Sequence, residues 1–178
     1  MPEKKKILLT NDDGIDAPGI RALHEELRRH YDVLVVAPMF EKSGAGCSLS
    51  LSLEMAVDAR RDKSGKPWGY AVDGTPADCV KFAMTALEGY RPDIVLSGIN
   101  RGMNLGNSVF YSGTVAAAIE AAFYGFKSAA CSLACWHSEP HYFEDAAKVV
   151  HRLLPWWLEQ PARPRTLWNL NLPNRKLK

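Results

Sequence analysis

Two adjacent carboxylates, Asp12 and Asp13, follow a short apolar run near the start of the chain. The run, Ile7–Leu9, is typical of a central strand that is covered on both faces, and open α/β sheets bind ligands just beyond the carboxyl ends of such strands. Neighbouring carboxylates repel each other unless solvent or a cation neutralises them, and hard divalent cations prefer oxygen ligands. We therefore predict a divalent metal site here. In the alternative, one of the two carboxylates caps the following helix, a position for which Asp16 competes because Pro18 lies close behind it.

Two later loops carry further oxygen and amide groups at the same predicted edge of the sheet. Ser43 lies in a loop whose residues 44–46 are Gly-Ala-Gly, and Asn100 belongs to a long glycine-rich loop that also contains Asn104. The step Ser112–Thr114 then begins an alanine-rich helix, whose free N–H groups and positive dipole end suit a phosphate. A cation and an anion-binding helix start on one rim indicate hydrolysis of a phosphate ester.

Each of these groups also has a purely structural interpretation. Ser43 could be an ordinary turn residue, and Asn100 or Asn104 could stabilise its own loop through hydrogen bonds from side chain to backbone. Ser112 has no histidine in a motif beside it, so helix capping or phosphate binding is favoured over a role as a nucleophile. The residue types alone therefore leave the roles of these side chains open.

The spacing of apolar residues predicts an α/β fold. Strand, helix and strand follow one another within residues 7–37, which is the βαβ unit of a parallel sheet. We predict a Rossmann-like three-layer sandwich with a mostly parallel central sheet and an added β-hairpin, in which Ser48–Leu53 pairs with Gly69–Asp73. The other predicted strands are Ile7–Leu9, Asp32–Ala37, Asp93–Ser97, Ser128–Leu133 and Thr166–Leu172.

Composition and charge narrow the class of protein. The chain has 178 residues, of which 47% are hydrophobic and 24% charged, enough for one domain with a sizeable core. A net charge of +2 gives no reason to expect nucleic acid or a membrane surface as a partner, and no run reaches transmembrane length. The four cysteines include only one close pair, Cys131 and Cys135, so we predict reduced thiols in a cytoplasmic protein.

The histidines are not predicted to bind metal. His24, His30 and His151 lie on or beside amphipathic helices, where we expect them on exposed faces. His137 and His141 have the spacing of a helical metal-binding pair, but an intervening proline argues against a helix between them.

Four motifs in register resemble the SurE family of survival-protein nucleotidases, which are metal-dependent phosphatases of nucleoside monophosphates. The motifs are TNDDG at Thr10–Gly14, APxxxxSGAG at Ala37–Gly46, DGTPADCV at Asp73–Val80, and SGIN followed by YSGTVAAAIE within Ser97–Glu120. The similarity continues to Asn169–Pro173 and so covers nearly the whole chain. Four motifs in order are far more specific than any one of them alone.

The resemblance implies a role for each candidate residue. Four residues correspond to the ligands of one divalent ion, Mg²⁺ or Mn²⁺: Asp12, Asp13, Ser43 and Asn100. Four residues would hold the substrate phosphate: Asn104, Ser112, Gly113 and Thr114. Asp12 and Asp13 would also be catalytic, because the metal polarises the phosphoryl group and binds the water that attacks it. The implied activity is that of a 5′/3′-nucleotidase. Apart from the resemblance, Tyr111 and Trp136 are aromatic residues that could stack on a base, although a buried position is the commoner case for such side chains.

Two features depart from the family pattern. The stretch before the YSGT motif usually carries an acidic residue, where this chain has Asn107-Ser108. The family also usually continues well past Lys178, with a tail that helps to build the oligomer and shapes the site from a neighbouring subunit. We therefore expect residues 1–178 to form a single phosphatase domain without that tail, and a homodimer or homotetramer where the tail is present. The alternative is a catalytically impaired relative that binds nucleotides or forms oligomers.

Overall fold

The computed structural model describes residues 3–50, 54–62, 64–135 and 141–177. The strands are β1 (Lys6–Thr10), β2 (Asp32–Pro38), β3 (Val57–Arg61), β4 (Pro67–Val72), β5 (Ile94–Arg101), β6 (Ser128–Ala134) and β7 (Trp168–Pro173). The helices are α1 (Pro18–Leu27), α2 (Pro76–Thr85), α3 (Gly113–Phe123) and α4 (Phe143–Glu159), with a 3₁₀ segment at Gly106–Tyr111. Within the described ranges the seven strands form one sheet in the order β3-β4-β2-β1-β5-β6-β7. Neighbouring strands are parallel except for β3 and β4, which are antiparallel.

Strand β1 lies at the centre of the sheet, between β2 and β5. Its apolar run, Ile7–Leu9, is fully buried because helices cover both faces of the sheet. Thr10 is in register with Ser97 of β5, so the residues that follow both strands emerge at the same edge. The predicted mostly parallel sheet is therefore confirmed, and the two adjacent carboxylates Asp12 and Asp13, the acidic pair, lie at its carboxyl edge.

Two pairs of helices form the outer layers. Helices α1 and α4 pack together on one face and share an apolar core that includes Leu23 and Val150. Helices α2 and α3 pack together on the other face. Gly19 lets α1 approach β5, because a Cβ at this position would lie 1.9 Å from the carbonyl oxygen of Ile99. None of the described helices is long and apolar enough to cross a membrane.

The predicted hairpin exists, but its first strand was misplaced. The strand that pairs with β4 is β3, whereas residues 48–50 have no regular structure and residues 51–53 lie outside the described ranges. Contacts with the start of α2 explain the difference, because they use the backbone groups that a strand would need. The Thr75 hydroxyl donates to the carbonyl oxygen of Ser48 at 2.8 Å, and the Ser50 N–H donates to the Asp78 carboxylate at 3.0 Å.

The starts of the helices decide between the capping alternatives. Helix α1 has Ala17 as its N-cap with no side-chain cap, and Pro18 follows as the first helical residue. Asp16 instead forms an ion pair with Arg21. Neither Asp12 nor Asp13 therefore caps α1, and the competing prediction that Asp16 caps this helix is wrong.

Two histidines are less exposed than predicted. His24 lies edge-on against Trp68, with ring centroids 4.5 Å apart, and its side chain is only 14% exposed. His151 Nδ1 lies 2.7 Å from Glu26 Oε1 between α1 and α4. His30 is exposed as predicted, and His137 lies outside the described residues. The spacing of apolar residues predicts the buried face of these helices correctly. Neighbouring elements also cover part of the polar face, which the spacing within one helix does not indicate.

Protonation of His24 should destabilise the fold. Burial lowers the pKa of His24 from 6.5 to about 4 in the folded chain. The unfolded state therefore binds the proton first, so the stability present above pH 6.5 is lost as the pH falls towards 4. In the parent chain, protonation of His24 lowers the free energy of unfolding between about pH 7 and about pH 4.5. We expect this loss to be smaller by about 2 kcal/mol in His24→Leu. Urea unfolding at the two pH values measures this difference.

The same substitution at the exposed His30 is the matched control, because its ring loses little burial. An unchanged difference between the two pH values in His24→Leu would contradict the assignment of the acid sensitivity to this ring.

Candidate active site

Asp12 lies directly beyond β1, where its carboxylate meets the first turn of α3. The residue is 5% exposed, and the Thr114 hydroxyl donates to Asp12 Oδ1 at 2.5 Å. The N–H of Lys42 donates to the backbone carbonyl of Asp12 at 2.8 Å. The end of β1, the loop after β2 and the start of α3 therefore meet at this residue.

The start of α3 can approach Asp12 because Gly113 has no side chain. A Cβ at Gly113 would lie 2.8 Å from the Asp12 Cβ and 3.1 Å from a side-chain atom of Pro76. Ser112 fixes the helix start as its N-cap, since its hydroxyl oxygen accepts the N–H of Val115 at 3.1 Å. A larger residue in place of the glycine would push the helix away from β1.

Asp13 is half-buried and faces the loop that follows β5. Its Oδ2 accepts the backbone N–H of Arg101 at 3.1 Å. This bond places Asp13 beside Asn100, the residue that precedes Arg101 in the chain. The structure therefore brings together two of the predicted metal ligands from sequence positions far apart.

Burial raises the pKa of both carboxyl groups above the ordinary value for aspartate. For Asp12, burial is the main cause, and hydrogen bonds from Thr114 offset part of it. For Asp13, burial and the negative charge of Asp12 raise the pKa to about 6, and Glu41 adds a smaller effect in the same direction. Two negative charges in a poorly solvated place favour the binding of a proton or a metal cation.

Ser43 and Asn100 are the two neutral residues of the predicted ligand set, and each is a chain neighbour of a residue that contacts the acidic pair. Ser43 is exposed and its hydroxyl donates to Glu41 Oε1 at 2.7 Å, next to the Lys42 N–H that binds Asp12. Asn100 is 9% exposed and its Nδ2 donates to the carbonyl oxygen of Gly102 at 2.8 Å, so it does stabilise its own loop. The Oδ1 atom of Asn100 is the one that a cation would bind.

Asn104 belongs to a network that ties the glycine-rich loop to β6 and β7. Its backbone N–H donates to Asn171 Oδ1 at 2.8 Å, and its Nδ2 donates to the Ser132 hydroxyl at 2.9 Å. Its carbonyl oxygen accepts from Asn169 Nδ2 at 2.9 Å. The structural alternative for Asn104 is thus observed, and its contribution to phosphate binding stays a prediction.

The hydroxyl groups that are predicted to bind phosphate at the start of α3 already form hydrogen bonds within the chain. The hydroxyl of Ser112 caps the helix, and the hydroxyl of Thr114 is bound to Asp12. The backbone N–H of Thr114 also stabilises the charged form of Asp12. A phosphate at this helix start would therefore lie beside the acidic pair, and its contacts with Ser112–Thr114 stay a prediction.

The oxygen atoms of the site fit a hard divalent cation. Asp12 and Asp13 offer charged oxygens, whereas Ser43 and Asn100 offer neutral ones, which is the donor chemistry that Mg²⁺ and Mn²⁺ prefer. Asn11 Oδ1 is buried beside the pair without a hydrogen-bond partner among the described residues. In the described part of the chain, no group of three or more His, Cys, Asp and Glu side chains is arranged to hold a metal. A cation here would therefore also need the neutral oxygens.

A cleft of 190 Å³ opens beside Asp13, and sequence reasoning missed most of its wall. The wall includes Glu41, Arg101, His141 and Phe143. Glu41 and Arg101 each lie within two positions of a predicted metal ligand, and that adjacency could have identified them. The partners of Asn104 on β6 and β7 were missed as well, because nothing in the local sequence links them to the glycine-rich loop.

The chain is similar along almost its whole length to proteins of one family. The family model described as Survival protein SurE matches residues 7–178. The chain is 48% identical over 171 residues to 5′-nucleotidase SurE of Carboxydothermus hydrogenoformans, covering 95% of this chain and 65% of that protein. It is 46% identical over 169 residues to 5′-nucleotidase SurE of Nitrosococcus oceani, covering 95% of this chain and 64% of that protein.

A solved structure has the same fold. The crystal structure of the SurE protein from Aquifex aeolicus matches with a TM-score of 0.84 at 40% identity, covering 96% of this chain and 67% of that chain. The chain spans about two thirds of the length of the curated relatives it matches. Since a family model covers nearly every residue and the fold agrees, the chain belongs to the SurE family of survival proteins.

Proposed function

We propose that this chain forms the catalytic domain of a metal-dependent phosphomonoesterase, a 5′/3′-nucleotidase that hydrolyses nucleoside monophosphates. The observation that carries the proposal is the acidic pair at the carboxyl edge of the sheet, in which the buried Asp12 meets the first turn of α3 and the half-buried Asp13 faces the loop after β5. The name of the similar proteins, 5′-nucleotidase SurE, supports this activity.

One divalent cation, Mg²⁺ or Mn²⁺, is the cofactor in this proposal. Its ligands would be Asp12, Asp13, Ser43 and Asn100. When bound there, the cation supplies Lewis-acid polarisation of the phosphoryl oxygen and lowers the pKa of a water molecule. Asp12 and Asp13 are catalytic because they hold this charge beside the phosphate.

The residues of the chain position the reacting groups before substrate arrives. Thr114 fixes the orientation of Asp12, and the backbone N–H of Arg101 fixes that of Asp13. The start of α3 offers N–H groups and the positive end of the helix dipole to the substrate phosphate. A terminal phosphate with two negative charges suits this environment best, so monoesters are preferred over diesters.

Recognition of the nucleoside is proposed to be broad. The polar groups at the site serve the phosphate and the cation, which every nucleotide shares, so they give affinity without discrimination between bases. Tyr111 and Phe110 are 69% and 76% exposed just before the start of α3, contrary to the buried position that is commoner for aromatic residues, whereas Trp136 lies outside the described residues. Either ring can stack on a base of any kind.

Assembly and location complete the proposal. Among the described strands β7 pairs only with β6, so its second edge is available to another chain or segment. A homodimer or homotetramer is expected where the longer C-terminal region of the family is present, and the protein is expected in the cytoplasm.

Hydrolysis should depend on a divalent cation and extend to several nucleotides. We expect release of phosphate from purine and pyrimidine 5′- and 3′-monophosphates at saturating Mn²⁺ or Mg²⁺, with slower hydrolysis of ribose 5-phosphate and of a diester. The reason is that the proposed site recognises the terminal phosphate and stacks on the base without reading it. A panel of kcat/KM values for the 178-residue chain, with and without EDTA, measures this.

Undiminished hydrolysis in EDTA after removal of tightly held metal would contradict the cation mechanism. Strict selectivity for one base, or a diester that exceeds every monoester, would contradict the proposed recognition. Nucleotide binding without any turnover would favour the catalytically impaired alternative.

Asp12→Asn and Asp13→Asn should each lower the activity, whereas Asp13→Asn should raise the stability of the metal-free chain. Each should lower kcat/KM by more than about 100-fold, because loss of a charged ligand exceeds the effect typical of a residue that only orients one. In EDTA at pH 7.5, Asp13→Asn should be more stable than the parent by up to about 2 kcal/mol. The pKa of Asp13 is raised to about 6 in the folded state, so above this pH the folded chain carries the unfavourable charge and the variant is the more stable one. Near about pH 4 the carboxyl group of the folded chain is protonated, so the difference in stability should disappear.

Asp16→Asn is the matched control, since Asp16 is an exposed carboxylate on the same segment. Phosphate release and urea unfolding at pH 4 and pH 7.5 provide the two readouts. Near-parental turnover in Asp12→Asn or Asp13→Asn at modest Mn²⁺ concentration would contradict the assignment of the acidic pair.

A further inference from the structure

A second concave site lies at the amino edge of the sheet, opposite the edge that carries the acidic pair. It is a cavity of 330 Å³ where β6 and β7 begin, bounded by the last turn of α4 and the loop that joins α4 to β7. This volume lies at the lower end of the range for small-molecule pockets, about 300–1,000 Å³. The lining residues that matter here are Lys127, Trp156, Arg163 and Trp168.

One wall of the cavity is aromatic and held in place. Trp168 stacks on the buried Trp157, with ring centroids 5.8 Å apart and an angle of 28° between the rings. Trp156 lies beside Trp168 with a centroid separation of 6.1 Å, and it is 51% exposed. Exposure of half an indole leaves a large apolar area in water, which a planar ring stacked on it would cover.

The other wall of the cavity is positively charged. The Lys127 ammonium is half-buried and donates to the carbonyl oxygen of Leu158 at 2.5 Å, which fixes its position. Arg163 is exposed on the connecting loop, and its guanidinium has no partner in the described part of the chain. Of the described residues that line the cavity, none is acidic. An anionic group would therefore find two cations here and no carboxylate to repel it.

We propose that this cavity binds a planar aromatic anion, with its ring stacked on Trp156 and its anionic group held by Arg163 and Lys127. A nucleoside monophosphate has both chemical features, which makes AMP a suitable probe. The ligand would not be hydrolysed there, because no described residue of the lining offers a carboxylate to hold a metal. The proposal is independent of the proposed nucleotidase activity, since it concerns the opposite edge of the sheet.

Titration of the chain with AMP in excess EDTA tests the proposal through the ¹⁵N–¹H resonances of the tryptophan indoles. Trp156→Phe and Trp168→Phe assign the two relevant resonances, and Trp68, which is buried in the core of the chain, is the internal reference. We expect saturable shifts of Trp156 and Trp168 with Trp68 unchanged. Adenosine lacks the anion and ribose 5-phosphate lacks the ring, so each should bind at least about tenfold more weakly than AMP.

Arg163→Ala should lower the affinity for AMP at least about tenfold, because the variant loses a charge-assisted hydrogen bond. Arg152→Ala is the matched control, because Arg152 is an exposed arginine of α4 that does not line the cavity. The proposal is overturned if AMP at about 10 mM, a concentration that would occupy most of a site with a Kd of about 1 mM, leaves both indoles unshifted. It is equally overturned if Arg163→Ala binds like the parent, or if ribose 5-phosphate binds as well as AMP.

Discussion

The negative charge of Asp12 is the constraint on which the rest of the site depends. A carboxylate that is 5% exposed is costly to bury unless hydrogen bonds or a cation stabilise it. Thr114 provides that stabilisation through its hydroxyl and its backbone N–H, at the positive end of the α3 dipole. The contact requires α3 to touch the end of β1, which is possible only because Gly113 has no side chain. The central position of β1 and the placement of α3 are thus linked through one carboxylate.

These hydrogen bonds leave the acidic pair incompletely stabilised. The pKa values of Asp12 and Asp13 are both raised, because burial, and for Asp13 also the charge of Asp12, outweighs the bonds that each carboxylate accepts. The surrounding loops are held firmly, since Asn104 ties the glycine-rich loop to two strands and Asn100 closes its own turn. Two incompletely stabilised carboxylates between loops that are tied to the sheet are well prepared for a divalent cation and a phosphate.

Much of the fold could be predicted because its strongest signals are local. The run Ile7–Leu9 and the strand that starts near Asp93 are apolar on both faces, and such runs identify central strands of a covered sheet. The alternation in Ser48–Leu53 was misleading, because Thr75 and Asp78 bind that backbone from more than twenty residues away. In the candidate site, the residue types were predictable, but the contact of Thr114 with Asp12 spans 102 positions and that of Asn104 with Asn171 spans 67. Such pairings arise from the sheet order, which spacing along the chain does not encode.

The most direct test of the central claim is the anomalous scattering of Mn²⁺ in crystals of the chain grown with this ion. We expect one strong anomalous peak within about 2.5 Å of a carboxylate oxygen of both Asp12 and Asp13. Oxygens of Ser43 and Asn100 should lie around the same peak, and the peak should be absent in Asp12→Asn crystals grown under the same conditions. A strong peak elsewhere on the surface, with none between the two carboxylates, would contradict the claim that this acidic pair is the metal centre.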